Sequence, residues 1–346
     1  MDISLFDYHL PKELIAQYPP HRRGQSRLLI YDRRTGERTH TKFSSLPEFV
    51  GRGDALVVNN TKVFKARIWG ERATGGKIEV FLVRPLINPE AEDWEALVSP
   101  SRRLKSGEAI QFGSGRHVTL VEYFGSGKWT VRFKSAGHRK KIVSEFGHVP
   151  LPHYISRPDQ PEDVRRYQTV FADPHKVGAV AAPTAGFHFT KKTLDSIRSR
   201  GTKIVEVTLH VGPGTFKPVK TDRIEDHTVD PEFAELSPES AERLNEVRSQ
   251  GGRIFAVGTT SVRTLESSID AVGNFVPRAG LVDLYIRPGF KFRGVDHLVT
   301  NFHLPKSSLL ILVSAFMGRE QALELYREAI RERYRFYSYG DAMLIL

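Results

Sequence analysis

Apolar and polar positions change rhythm along the chain, and each change marks a different kind of structure. Up to about residue 65, short apolar runs sit between polar loops. Residues 27–32 and 38–42 read as strands joined by an RRTGE turn, and 53–60, GDALVVNN, as a buried strand with a polar end. Residues 3–18 read as an extended piece in which Pro11 opens an amphipathic turn through Leu14 and Ile15. From Ala66 the pattern becomes alternation over ARIWGER, KIEVFLVRP, WEALVSP, EAIQFG, HVTLVEYF and KWTVRFK, with glycine or proline turns between them, which predicts a small barrel or sandwich. The proline-rich stretch 147–157 returns from it. Helical and strand signals then alternate: a short strand at 179–182, a helix from 191 capped by Thr190, the strand KIVEVTLHV, a helix over 236–251, and the strand RIFAVG running into TTSVRTLESSIDAV. A strand at 281–286, a loop VTNFHLPKSS leading into a buried helix, an amphipathic helix over 319–334 and a terminal strand complete the order. The pattern predicts an α/β fold of mixed-sheet, α+β character: a large layered α/β domain over 1–65 and 151–346, with a small β-barrel domain inserted at 66–150.

Composition narrows the chemistry. The 346 residues contain no cysteine, which excludes disulfides, thiolate zinc sites, a cysteine nucleophile and cysteine-ligated iron–sulfur clusters. The opening MDISLFDYHLPKELIAQYP lacks an apolar secretory core, and LLILVSAFM is far shorter than the roughly 20 residues of a membrane span, so a cytoplasmic protein with no membrane partner is expected. The formal net charge of +11 suits a polyanionic partner. Over 66–150 there are 14 Lys or Arg against 9 Asp or Glu, a net 14 − 9 = +5, with Trp69, Trp94, Trp129, Tyr123 and Phe124 among them. Such a mixture serves either RNA stacking or a barrel core. Arg22, Arg23 and Arg27 form a basic group ahead of a strand, placed to meet phosphates or simply to be solvated.

Two stretches carry candidate chemistry. In GAVAAPTAGFHFT, residues 178–190, Pro183 lacks a backbone donor and Gly186 admits a positive φ, so a turn is expected. It would present the Thr184 hydroxyl, N–H groups near Gly186 and the His188 imidazole; a strand, a glycine turn and a capped helix make a ligand-binding frame. In GTTSVRT, residues 258–264, the hydroxyls of Thr259, Thr260 and Ser261 join first-turn N–H groups and Arg263, more than an N-cap needs and suited to an anion. Other motifs fail on context. VTLHVGPGTF has too few glycines for a dinucleotide loop and Pro218 interrupts the helix that should follow, while in GSGKW the glycine spacing is wrong and Trp129 replaces the hydroxyl that would hold magnesium. His188, His210, His227 and His303 are scattered without metal-site spacing.

Taken together and in order, YHLPKELIAQYP with SRLL, NTKVFKARI, TGGKIEVFL, RYQTVFA, GAVAAPTAGFHFT, TLHVGPGTFKPV, VGTTSVRTLES, TNFHLPKSSLLILVSAF and YSYGDAMLI resemble the S-adenosylmethionine:tRNA ribosyltransferase-isomerase family of queuosine biosynthesis. The chain departs from the family pattern at Asn59-Asn60, at Phe187 and at Asp230, which stands where a second histidine is usual after His227. The resemblance implies transfer and isomerisation of the ribosyl group of S-adenosylmethionine onto 7-aminomethyl-7-deazaguanine at the tRNA wobble position. Epoxyqueuosine-tRNA forms, and adenine and methionine leave. The rival readings are an RNA-binding scaffold without an active site and an S-adenosylmethionine methyltransferase. The sulfonium acidifies the ribose C5′ protons, and histidine suits their removal; His188, His210 and His303, each with apolar neighbours, are the candidates for base or acid. Thr184, Gly186, Thr259, Thr260, Ser261 and Arg263 are expected on the donor, Arg263 holding the methionine carboxylate or an RNA phosphate, and Asp341 is placed to pair with an amine. The implied partners are tRNA, through the anticodon arm that carries the precursor base, and S-adenosylmethionine as substrate, with no prosthetic group and no metal, and the protein is expected to be a monomer.

Overall fold

The computed structural model describes residues 1–86, 92–113, 115–216 and 218–346; Lys217 of the expected GPGTFKP turn lies outside them. A nine-stranded sheet runs in the order Arg278–Val282, Glu232–Leu236, Lys203–Leu209, Ala55–Asn59, Ile254–Val257, His297–Asn301, Ala342–Ile345, Arg27–Tyr31, Arg38–Lys42. The four strands from Lys203–Leu209 to His297–Asn301 are mutually parallel, and antiparallel strands flank them on both sides. Strand side chains alternate between faces. Ala55, Val57, Ile254, Ala256 and Leu298 join one apolar core, while Leu56, Val58, Phe255, Val257 and Val299 join the other. Burial on both faces explains why these strands read as continuous apolar runs. Helices Pro238–Ser249, Ser308–Met317 and Arg319–Arg331 cover the first face, and Lys191–Ser199 with the 3-10 turn Phe43–Glu48 covers the second. The mixed α/β class expected from the pattern is the class observed.

The six strands expected in the insertion form a closed antiparallel barrel: Arg67–Glu71, Lys77–Pro85, Glu92–Ser99, Lys128–Phe133, Arg116–Tyr123 and Ala109–Phe112, closed by the pairing of Glu71 with Gln111. Trp94 and Trp129 are part of its core, whereas Trp69, Tyr123 and Phe124 are exposed, so the core use holds for the first two only. Gly147–His148 pairs with Arg67–Ile68, so the chain leaves the barrel beside the strand by which it entered. Lys128 on the barrel lies 3.5 Å from Asp230 on the large sheet's side.

Several elements differ from the pattern's expectation. The strand before the Thr184 turn is Val177–Ala179, and it pairs only with Lys62–Val63 in a separate two-stranded patch. The expected helix over 236–251 begins at Pro238, because EFAEL before it forms the strand Glu232–Leu236, and the expected strand at 281–286 is instead Arg278–Val282. The loop VTNFH holds the central strand His297–Asn301. Helix Ala136–Phe146, capped by Ser135, was not signalled because Ile142 alone is buried on it. Gly186 lies in the 3-10 turn Thr184–His188 and is not among the glycines of positive φ. A side chain there would meet Phe171 Cζ at 2.5 Å and Thr169 Cγ2 at 2.7 Å. Close packing against Phe171, not backbone freedom or ligand approach, requires the glycine.

Candidate active site

Because the four central strands are parallel, their carboxyl ends share one edge, the place where open α/β sheets bind ligands. That edge carries Asn59 to Thr61, His210, the start of helix Gly258–Glu266, and Asn301 to His303. Ala342 pairs with Asn301, so Asp341 begins its strand at the same edge.

Asn301, which sequence reading did not single out, is the centre of this edge. Its Nδ2 donates to His188 Nε2 at 3.0 Å and to the Tyr337 carbonyl at 3.2 Å, and its Oδ1 accepts from the Thr184 hydroxyl at 3.0 Å. Since Nε2 of His188 accepts, Nδ1 must carry the proton and donate to Ser26 Oγ at 2.7 Å. Burial, opposed in part by Asp341, lowers the His188 pKa to about 4. The imidazole is neutral and both of its nitrogens are used within the protein. His188 therefore holds Asn301 in place and does not itself open onto a cavity large enough for a donor.

His303 is placed differently. Its Nε2 and Thr300 Oγ1 share a hydrogen bond of 2.8 Å, and burial lowers its pKa to about 3. The Thr300 hydroxyl also donates to the Asn301 carbonyl at 3.4 Å, which makes Nε2–H the donor to Thr300 and leaves a lone pair on Nδ1. Among the described residues no protein group bonds Nδ1. His303, Thr184, Thr215, Asn301 and Leu309 line a small chamber with two lobes. One lobe ends at Tyr154, Tyr337 and Ser338, and the other at Gly258, Thr259 and Thr260. Helix Gly258–Glu266 has no side-chain N-cap, and the buried Thr260 hydroxyl on that wall has no partner among the described residues, so donors collect at this lobe. Ser261 does not join them: its hydroxyl donates back to the Val257 carbonyl at 2.8 Å.

Thr215 and Leu309 also line the adjoining cleft of about 280 Å³, walled by Leu284, Tyr285, Ile286 and Leu312 and edged by His227 and Asp230. The Tyr285 hydroxyl is buried without a partner among the described residues, and burial raises its pKa to about 12. Asp230 and Glu232 pass on into a groove of about 370 Å³ whose far wall is the barrel, with Arg84, Phe124 and Lys128.

Arg263 lines the cleft but is not a free clamp. Its Nη1 pairs with buried Glu232, and Nε and Nη2 donate to the carbonyls of Leu284 at 3.1 Å and Val282 at 3.2 Å. Glu232 in turn accepts from Gly212 N at 2.6 Å and Thr215 Oγ1 at 2.7 Å, so the pair braces the loop that separates chamber from cleft. Asp341 likewise spends its oxygens on Arg27 N and Arg335 N, both at 2.9 Å, which ties strand starts together rather than pairing a ligand amine. His210 stands apart from the chamber: Nδ1 bonds Thr61 Oγ1 at 2.7 Å, the ring stacks on Phe233, and burial together with Lys176 lowers its pKa. Among the described residues no cluster of three His, Asp or Glu is arranged for a metal, and no helix is long and apolar enough to cross a membrane.

A parallel-centred sheet with a donor-lined chamber and a ligand-sized cleft at its carboxyl edge, beside a small barrel, is the arrangement by which α/β enzymes hold small ligands. The chain belongs to the queuosine biosynthesis protein family, whose model matches residues 3–345. It is 47% identical over 348 residues to the S-adenosylmethionine:tRNA ribosyltransferase-isomerase of Desulforamulus reducens, covering 100% of both chains. It is 46% identical over 347 residues to the protein of the same name from Aquifex aeolicus, again covering 100% of both. The crystal structure of an S-adenosylmethionine tRNA ribosyltransferase from Thermotoga maritima is 35% identical, with a TM-score of 0.56 over 99% of this chain and 100% of that one. The family expected from the nine ordered motifs is the family found.

Two outcomes follow from the buried groups. Arg263→Met strands the Glu232 carboxylate and should cost roughly 3–5 kcal/mol in denaturant unfolding, with Arg263→Met/Glu232→Gln costing clearly less than the sum of the single changes; strict additivity would show that the two side chains act independently. For His188 the native pKa of about 4 lies below the unfolded value of about 6.5. The stability it contributes is therefore complete above about pH 6.5 and is lost as pH falls toward 4, because the unfolded chain takes the proton first. Unfolding free energy measured from pH 8 to 4 should fall through that window, and less steeply in His188→Gln; equal slopes contradict the assignment.

Proposed function

We propose that the protein transfers and isomerises the ribosyl group of S-adenosylmethionine onto 7-aminomethyl-7-deazaguanine at the wobble position of tRNA, forming epoxyqueuosine-tRNA with release of adenine and methionine. The observation that carries this reading is the identity of 46% and more along the full length of relatives bearing that activity in their names. The methionine carboxylate is held by the first-turn N–H groups of helix Gly258–Glu266 with the hydroxyls of Thr259 and Thr260. The ribose then lies at Thr215 and Leu309, beside His303, and adenine lies in the cleft within reach of the Tyr285 hydroxyl. The Nδ1 lone pair of His303 takes a C5′ proton, which the neighbouring sulfonium has acidified. The C5′ carbanion expels the ring oxygen from C4′, and that oxygen becomes the C1′ carbonyl as adenine leaves with a proton. The aminomethyl nitrogen adds to C4′ and gives up a proton, C5′ closes on C1′, and the alkoxide so formed closes the epoxide by displacing methionine from C5′ along the line of the C–S bond. Asn301 and Thr184 fix the chamber wall; His188 acts through Asn301 as a positioning residue. The target base enters by the lobe that ends at Tyr154 and Tyr337.

Residues 66–150 are proposed to act as a separate unit that grips the RNA, a reading supported by the adjacent ends of the insertion, its net charge of +5, and the exposed Phe124 and half-buried Lys128 on the groove. The enzyme works in the cytoplasm on soluble tRNA and needs no prosthetic group, since every step is a proton transfer, an elimination, an addition or a displacement. Incubation with precursor tRNA and a donor labelled either on methyl or on ribose tests the reading. Only the ribose label should reach the tRNA. Transfer of the methyl label would mean a methyltransferase, and transfer of neither, with RNA bound, a scaffold.

A further inference from the structure

A second recess lies across the Ser338 wall from the chamber, and it is built from cations. Arg23 and Arg166 line it together with Ser26, His188, Ser338 and Gly340. The two arginines clamp each other's loops: Arg23 Nη2 donates to the carbonyls of Arg165 and Arg166 at 3.2 Å and of Gln168 at 2.5 Å, while Arg166 Nη1 donates to His21 O at 3.2 Å and Nη2 to Pro20 O. These bonds fix both guanidinium planes without neutralising either. Neither arginine makes an ion pair among the described residues, and Arg23 Nη1 and Arg166 Nε are buried N–H donors with no partner there. Burial and the charges of Arg166 and Arg165 lower the Arg23 pKa to about 10, the response of a cation short of a counter-charge.

Two partly buried like charges with unmet donors are costly to a fold unless an anion is bound there during function. The recess itself encloses only about 10 Å³, the space of a single oxygen atom. The recess admits one oxygen of an anion and no nucleobase, and the anion that an RNA substrate brings is its phosphodiester. Ser338 lines both the recess and the tyrosine lobe, so the two are neighbours across one residue.

We propose that the Arg23–Arg166 recess binds one backbone phosphate of the tRNA beside the target nucleotide. This rests on the ribosyl-transfer reading only for the identity of the RNA. The test uses the full-length enzyme and an anticodon stem-loop carrying the precursor base, with each loop phosphate replaced in turn by a neutral methylphosphonate. One position should weaken binding to the wild type by about tenfold, the usual worth of a charge-assisted hydrogen bond pair. Arg23→Gln and Arg166→Gln should bind the unmodified loop that much more weakly, show a shallower salt dependence by about one ion, and no longer respond to that methylphosphonate. Binding of S-adenosylmethionine alone and the melting temperature are measured alongside, and Arg23→Lys, which keeps the charge, serves if the glutamine variant does not fold. If every methylphosphonate effect persists unchanged in the variants, the recess holds solvent only and the proposal is wrong. Ribose transfer by the wild type is scored separately, so failure of the phosphate site and failure of the catalytic reading give different results.

Discussion

The carboxamide of Asn301 is donor to His188 and Tyr337 and acceptor from Thr184, and with that set of bonds its orientation is fixed. Three segments far apart in sequence meet on this one group: the turn Thr184–His188, the stretch before the terminal strand, and strand His297–Asn301 itself. Through His188 the network reaches Ser26, which opens the strand Arg27–Tyr31. Apart from half-buried Thr184 the network is buried, so each bond lost within it leaves a polar group unmet at about 1–3 kcal/mol. The geometry of the chamber thus depends on a neutral polar network, and neutrality itself is enforced by burial, which holds His188 and His303 uncharged at any working pH.

A second constraint comes from buried charge. Arg263 and Glu232 neutralise each other and brace the Gly212–Thr215 loop between chamber and cleft, whereas Arg23 and Arg166 have no such compensation. One pair is architecture and the other is a demand for an anion. Chamber, cleft and barrel groove share walls in sequence, Thr215 and Leu309 between the first two, Asp230 and Glu232 between the last two.

The barrel was legible because alternation with period two over six closely spaced runs has few other solutions, and the Thr190 cap because Thr193 N does bond its hydroxyl at 3.0 Å. The hydroxyl-rich start of helix Gly258–Glu266 was also visible, although Ser261 turned out to bond its own helix. What was hidden depended on distant partners. Nothing near His188 shows that Ser26 and Asn301, 162 and 113 residues away, occupy both of its nitrogens, and nothing near Arg263 shows Glu232. Strand His297–Asn301 was missed because it is short and ends in the polar Thr300 and Asn301, which the core tolerates because both are hydrogen-bonded. Glu232–Leu236 alternates in burial but not in polarity, since Glu232 points inward and Phe233 outward, so its pattern did not read as a strand.

Release of tritium to water from S-adenosylmethionine labelled at ribose C5′ reports the first proton transfer without waiting for later steps. With precursor tRNA present, His303→Ala should slow that release by roughly 100-fold or more, the worth of a positioned base, while His210→Ala should release label close to the wild-type rate. Wild-type release from His303→Ala, or its loss in His210→Ala alone, would contradict the placement of the chemistry at the Asn301 chamber.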